Sequence, residues 1–186
     1  MRIITGTARG CRLQTPEGSD VTRPTAERVK EAVFSMIQFE LEGRQILDLC
    51  AGSGQMGLEA LSRGAAHCFF VDADSTAISC IKENLVKTKL GAQAQVIFSE
   101  CKLWLKRTAG RRQFDICFLD PPYRAGLLPE CLALLVRGKL LSPHALVICE
   151  SEDATAPHAP EELQLLKHVK YGRVYISLFR MGGEMA

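Results

Sequence analysis

Three carboxylates sit at or near the ends of apolar runs, and each is followed by residues that open or stiffen the backbone. Asp48 lies in QILDLC ahead of AGSGQMG, Asp72 ends HCFFVD, and Asp120 ends FDICFLD just before Pro121, Pro122 and Tyr123. A plain turn needs neither the second proline nor the ring. The Asp120 carboxylate and the Pro121 carbonyl make a pair of fixed acceptors for the two N–H bonds of an aromatic amine. Such an amine is a poor nucleophile until its lone pair is drawn out of the ring, and positioned acceptors do that by preorganised electrostatics. Consecutive prolines hold φ near −65° and remove two donors, which leaves a stiff ledge. Tyr123 offers a flat face to a base taken out of its helix, worth ~1–3 kcal/mol.

Gly52, Gly54 and Gly57 form a GxGxxG between an apolar run and a helix-like segment, with Asp72 twenty residues past Gly52. In that context the pattern points to a nucleoside-containing ligand, with the carboxylate on a ribose. Asp48 selects among such ligands. A pyrophosphate beside it meets a like charge in a partly desolvated cleft, whereas the ammonium and sulfonium of S-adenosyl-L-methionine are attracted. The expectation is that Asp48 receives the methionine end, Asp72 the ribose, and Cys50, Ala51, Gly52, Gly54 and Ala73 the rest of that wall. Glu100 and Cys101, after the third strand, are candidates for the adenine edge. Two alternatives stay open: Asp48 held by loop amides, and Glu100 as a solvated carboxylate.

The elements that must position these groups alternate. Runs at 45–50, 67–72, 94–98, 114–120 and 145–150 read as strands with helix-like segments between them, which predicts a parallel sheet covered on both faces. Ser75 is expected to cap a helix that buries Ala77, Ile78, Ile81 and Leu85, a short helix surrounds Trp104, and 127–136 reads as a buried helix. LLKHVKYGRVYISLFR reads as a closing antiparallel hairpin turning at Tyr171-Gly172. The expected fold is therefore α/β: a Rossmann-like class I methyltransferase fold whose mostly parallel seven-stranded sheet ends in that hairpin.

Residues 1–44 stand apart as an extension on a methyltransferase domain of residues 45–186. RIITG and CRLQT read as two short strands around 7–10. TAERVKEAVFSMIQFELEG reads as an amphipathic helix with Thr25 as N-cap and Val29, Val33, Met36 and Ile37 inward. Through Lys30 this section holds six basic residues against three acidic ones, an excess that the net charge of +2 conceals. Arg2, Arg9, Arg12, Arg23 and Arg28, with Arg124 after the proline ledge, are the candidate contacts for a phosphate backbone, with an ordinary solvated surface as the alternative; Arg111 and Arg112 are further ones.

At 186 residues, 47% hydrophobic and 24% charged, the chain suits one soluble domain. Eight cysteines with no CxxC pair read as reduced core residues, so neither a structural metal nor a disulfide framework is expected. The amino terminus lacks a signal-like apolar core, and no apolar run approaches the ~20 residues of a membrane span. A cytoplasmic monomer without membrane association is expected.

DPPY at Asp120 to Tyr123 resembles the amino-methyltransferase signature. DLCAGSGQMGLEALSRGA and TRPTAERVKEAVFSMI, together with it, resemble the RsmD family of bacterial 16S ribosomal RNA (guanine-N2)-methyltransferases over nearly the whole chain. That resemblance implies transfer of a methyl group from S-adenosyl-L-methionine to the exocyclic N2 of one guanosine, with ribosomal RNA or the assembling small ribosomal subunit as partner. It puts the cofactor on Asp48, Gly52, Gly54 and Asp72, the target amine at Asp120, Pro121 and Tyr123, and RNA along Arg2, Arg9, Arg12 and Arg23. Ser99-Glu100-Cys101 departs from the family's Gly-Asp-Ala type of sequence, and Asp72 stands where Glu is common. The rival readings are an adenine-N6 DNA methyltransferase, a cofactor-binding protein without turnover, and an NAD-dependent oxidoreductase, which Asp48 disfavours.

Overall fold

The computed structural model describes residues 1–15, 24–121 and 126–183, with the backbone alone for 24–26. After a helix α1 (Pro24–Met36) the chain alternates β1 (Gln45–Leu49), α2 (Gln55–Ser62), β2 (His67–Asp72), α3 (Ser75–Thr88), β3 (Ala94–Phe98), α4 (Cys101–Thr108), β4 (Phe114–Leu119), α5 (Leu127–Arg137) and β5 (Leu141–Ser151). It closes with β6 (Leu163–Tyr171) and β7 (Val174–Met181). The seven strands run in the order β3-β2-β1-β4-β5-β7-β6, with β7 antiparallel to both of its neighbours and the remaining pairs parallel. Strand order reverses between β1 and β4, the place where crevices form in such sheets.

Side chains alternate across the sheet with period two. Ile46, Ile116, Ile148 and Ile176 face α1, α2 and α3, while Leu47, Cys117, Val147, Cys149 and Phe179 face α4 and α5. The apolar residues of the amino-terminal extension, among them Ile3, Val29, Val33, Phe34 and Ile37, join the first of these clusters. All eight cysteines are free thiols.

The extension is tied down by buried polar groups. Its two arms pair through the Arg2–Arg12 bridge, with Ile3 N–H donating to Cys11 O at 3.0 Å and Leu13 N–H to Met1 O at 2.9 Å. Glu59, fully buried on α2, accepts from Ile4 N–H at 2.8 Å, Thr5 N–H at 3.1 Å and Arg63 Nε at 2.8 Å. Lys30 Nζ from α1 lies 3.3 Å from the same carboxylate and donates to Arg2 O. Burial pushes the Lys30 ammonium down, and the Glu59 charge pulls it back.

Four boundaries differ from the sequence reading. Helix α1 begins at Pro24, so Thr25 lies within its first turn and is not its cap; proline suits the first helical position because its missing N–H has no partner there. The same helix stops at Met36, where turns set in: Glu40 N–H donates to Ile37 O and Gly43 follows at φ 72°. Asp74, not Ser75, caps α3, its carboxylate accepting from Thr76 N–H at 2.9 Å. The hairpin turns at Gly172-Arg173, because Tyr171 still pairs with Val174.

Candidate active site

The loop after β1 is held from below. Cys50 adopts a left-handed φ of 61°, and its amide and that of Ala51 both donate to Val71 O, at 2.9 and 3.1 Å. Helix α2 can then start directly over β2 because position 57 is glycine: a Cβ there would meet the Phe70 ring at 2.4 Å and the Cys68 sulfur at 2.5 Å. Gly52, at φ 54°, has nothing within 4 Å of where a side chain would sit, so backbone lines an open crevice at that point.

Four carboxylates border this crevice. Asp72 Oδ2 accepts from Gly52 N–H at 2.8 Å and Oδ1 from Asp74 N–H at 2.9 Å, fastening the glycine loop to the end of β2. Asp48 is buried, and its Oδ2 accepts from Gly57 N–H at 2.9 Å. The loop-amide alternative for Asp48 is thus realised for one of its oxygens. Burial pushes this carboxyl up to about 7; the Gly57 amide pulls it down and the Asp72 charge adds to the rise. At the end of β4, Asp120 N–H reaches Leu49 O at 3.5 Å. Its carboxyl is driven well above the usual carboxylate range by desolvation, then by Glu150 and Asp48. Asp120 is nevertheless an exposed residue, so solvent weakens both the desolvation and the repulsion behind that rise.

Strands lie ~4.8 Å apart, so Asp72, Asp48, Asp120 and Glu150 span about 15 Å of the carboxyl edge. Such a notch repels a pyrophosphate and favours a cationic ligand. Glu150 was missed in the sequence, although ALVICE ends on an acid as the earlier strands do. On the crevice wall the Cys50 and Cys101 thiols meet. Their hydrogen bond, then burial, raises Cys50, and the same bond lowers Cys101. Ala73 and Glu100 are exposed, and the Glu100 side chain makes no capping bond to α4.

The structure brings only some of the proposed RNA contacts near this edge. Arg2 and Arg12 pair on adjacent arms, Arg2 lies 4.0 Å from Glu27, and Arg28 is exposed on α1. Arg9 sits elsewhere: its arm tip docks at the far end of α2, where Thr7 N–H donates to Ser62 O at 2.8 Å and Ala8 N–H to Ser62 Oγ at 3.0 Å. An eight-residue helix is ~12 Å long, which separates that tip from the glycine loop. Arg111 and Arg112 precede β4 at the opposite edge, and the Arg112 guanidinium lies 4.6 Å over the Phe69 ring. Pro121 is buried. Pro122, Tyr123, Arg124 and Arg23 lie outside the described residues. Asn84, also unanticipated, is fully buried on α3 and donates to Gln14 O and Ser53 O, each at 3.0 Å, joining the extension to the glycine loop.

The chain matches the family described as conserved hypothetical protein 95 over residues 1–180. It is 36% identical to the ribosomal RNA small subunit methyltransferase D of Haemophilus influenzae, covering 97% of this chain and 93% of that one. The protein of the same name from Escherichia coli K12 is 35% identical, with 97% and 89% covered. Among solved structures, the one titled "Putative methyltransferase yhhF from Escherichia coli" superimposes with a TM-score of 0.89 at 35% identity, covering 99% of both chains.

Proposed function

We infer the function from one premise: the chain belongs to the conserved hypothetical protein 95 family, the RsmD family that its motifs resemble. We propose that it is a cytoplasmic, S-adenosyl-L-methionine-dependent methyltransferase of small-subunit ribosomal RNA, acting on the exocyclic N2 of a guanosine. The observation that carries this reading is the four-carboxylate notch at the strand reversal, with Asp120 on its rim. The residues present fit the cofactor: an open glycine backbone at Gly52 beside the buried Asp48, whose carboxyl the Asp72 charge helps to raise, is a place for a cation.

When bound there, the cofactor supplies an electrophilic methyl group on a positively charged sulfur. In this reading Asp72 exchanges its loop amides for ribose hydroxyls, and Asp48 presents its negative charge to the methionine end. Asp120 and the Pro121 carbonyl accept the two N–H bonds of the target amine, and Asp120 takes up the proton released. A cation in the notch offsets the repulsion from Glu150 and Asp48, so Asp120 ionises where an acceptor is needed. The Tyr123 ring serves as the stacking face.

The test is incubation with labelled S-adenosyl-L-methionine and small subunits lacking the modification, followed by nucleoside mass analysis. Label in N2-methylguanosine, lost in Asp120→Ala, is the expected outcome. Label in another nucleoside, or equal incorporation by both proteins, overturns the assignment.

A further inference from the structure

We propose that the β6–β7 turn is a second RNA-docking edge, on which Lys170 and Arg173 hold phosphates of the single strand flanking the target nucleotide. This rests on the reading of the protein as an RNA methyltransferase.

Because β7 runs antiparallel to β5, its first residues lie beside the last ones of β5, with Ser151 opposite Tyr175 and Glu150 opposite Ile176. The turn between Tyr171 and Val174 therefore projects at the carboxyl edge, the same edge that carries Asp120. In the sheet order, β7 is two strands and β6 three strands from β4, and the turn overhangs the level of Asp120 by up to three residues, which places it ~14–18 Å from the target position. That is within reach of phosphates a few nucleotides away from an extruded base.

Charge and rigidity support the placement. Lys170, Gly172 and Arg173 are exposed. Some cations elsewhere are paired with carboxylates: Lys30 and Arg63 with Glu59, Arg44 and Arg180 with Glu40, Lys102 with Glu130. Among the described residues no carboxylate pairs with Lys170 or Arg173. Lys170 Nζ instead lies 5.4 Å from the centre of the Tyr175 ring. On that ring the His168 imidazole stacks at 5.1 Å and 8°. The imidazole is fixed by Ser177 Oγ and Ala154 O, both at 2.9 Å. The base of the turn is thus braced while its cations stay free. Glu152 and Asp153, exposed after β5, oppose them in part, so this is a narrow basic edge beside an acidic notch. A polyanion held at that edge is kept from the notch except where its neutral base enters.

The test is the salt dependence of binding to unmodified small-subunit RNA, with turnover measured alongside. Each phosphate contact on a single strand contributes ~0.7 to the slope of log K against log salt. Lys170→Ala/Arg173→Ala is expected to flatten that slope by about 1.4 and raise KM for RNA, with affinity for S-adenosyl-L-methionine unchanged. Lys170→Glu/Arg173→Glu is expected to raise KM further. Arg107→Ala/Lys139→Ala, exposed cations nearer the opposite edge, is the control and should leave the slope unchanged. A wild-type protein that methylates RNA, with a slope and KM that the turn variants leave alone, overturns this proposal and spares the function. A wild type that neither binds nor methylates RNA overturns both.

Discussion

Two groups of buried or crowded charge lie on either side of α2 and are built on opposite rules. Around Glu59 every charge has a counterpart: Lys30 and Arg63 face it, and the Ile4 and Thr5 amides fill its remaining lone pairs. At the carboxyl edge Asp48 and Asp120 share one notch, where burial and like charge raise both carboxyls: Asp72 adds to the rise of Asp48, and Asp48 to that of Asp120. A pairing that holds chain segments together is satisfied within the protein. A repulsion left standing is a place where something from outside completes the set.

This contrast can be broken by mutation at either end. Glu59→Gln leaves Lys30 buried without its counter-charge, so it should cost about 3–5 kcal/mol of stability, read as a lower denaturant midpoint. Asp120→Ala should do the reverse, lowering methyl transfer by roughly 10²–10³ while leaving the midpoint unchanged or higher, since a like charge has gone. A lower midpoint in Asp120→Ala would put that residue with the paired group. Asp48→Asn still accepts from the Gly57 amide but loses its charge, so affinity for S-adenosyl-L-methionine should fall about 10–100-fold, the value of a charge-assisted hydrogen bond, with folding intact. Calorimetry beside a melting curve separates the two effects.

The smallest effect is a pH dependence. Asp48 rises from 3.8 to about 7 in the folded protein. The unfolded chain therefore releases this proton first, and the group's contribution to stability falls as pH rises from 3.8 toward 7. Binding of a cation favours the ionised form. Affinity for S-adenosyl-L-methionine should therefore climb roughly tenfold between about pH 6 and 8, and Asp48→Asn should flatten that climb. A flat wild-type profile would mean that the charge of Asp48 does not face the ligand.

The strands and the placement of Asp48, Asp72 and Asp120 were legible in the sequence because each strand is an apolar run ended by punctuation, which is local information. Residues 45–49, 67–72, 94–98 and 114–119 form as the runs indicate. What stayed hidden depends on tertiary approach. Nothing local in GLEALS marks Glu59 as the clamp of the amino-terminal arms, and nothing in KENLV marks Asn84 as the link from Gln14 to Ser53. Arg9 looked like a neighbour of Arg2 and Arg12 in charge counting, yet the hairpin carries it to the far end of α2. Charge along a chain is legible; which edge of the sheet it reaches is decided by strand direction. The basic turn of β6 and β7 follows the same logic, because only the antiparallel return of β7 brings it to the edge that carries Asp120.

The most direct test of the notch is titration of the wild-type protein with S-adenosyl-L-methionine and, separately, with NADH at pH 8. The account predicts saturable heat with the sulfonium cofactor and none with the dinucleotide, whose pyrophosphate meets Asp48, Asp120 and Glu150. Binding of NADH without binding of S-adenosyl-L-methionine would contradict it.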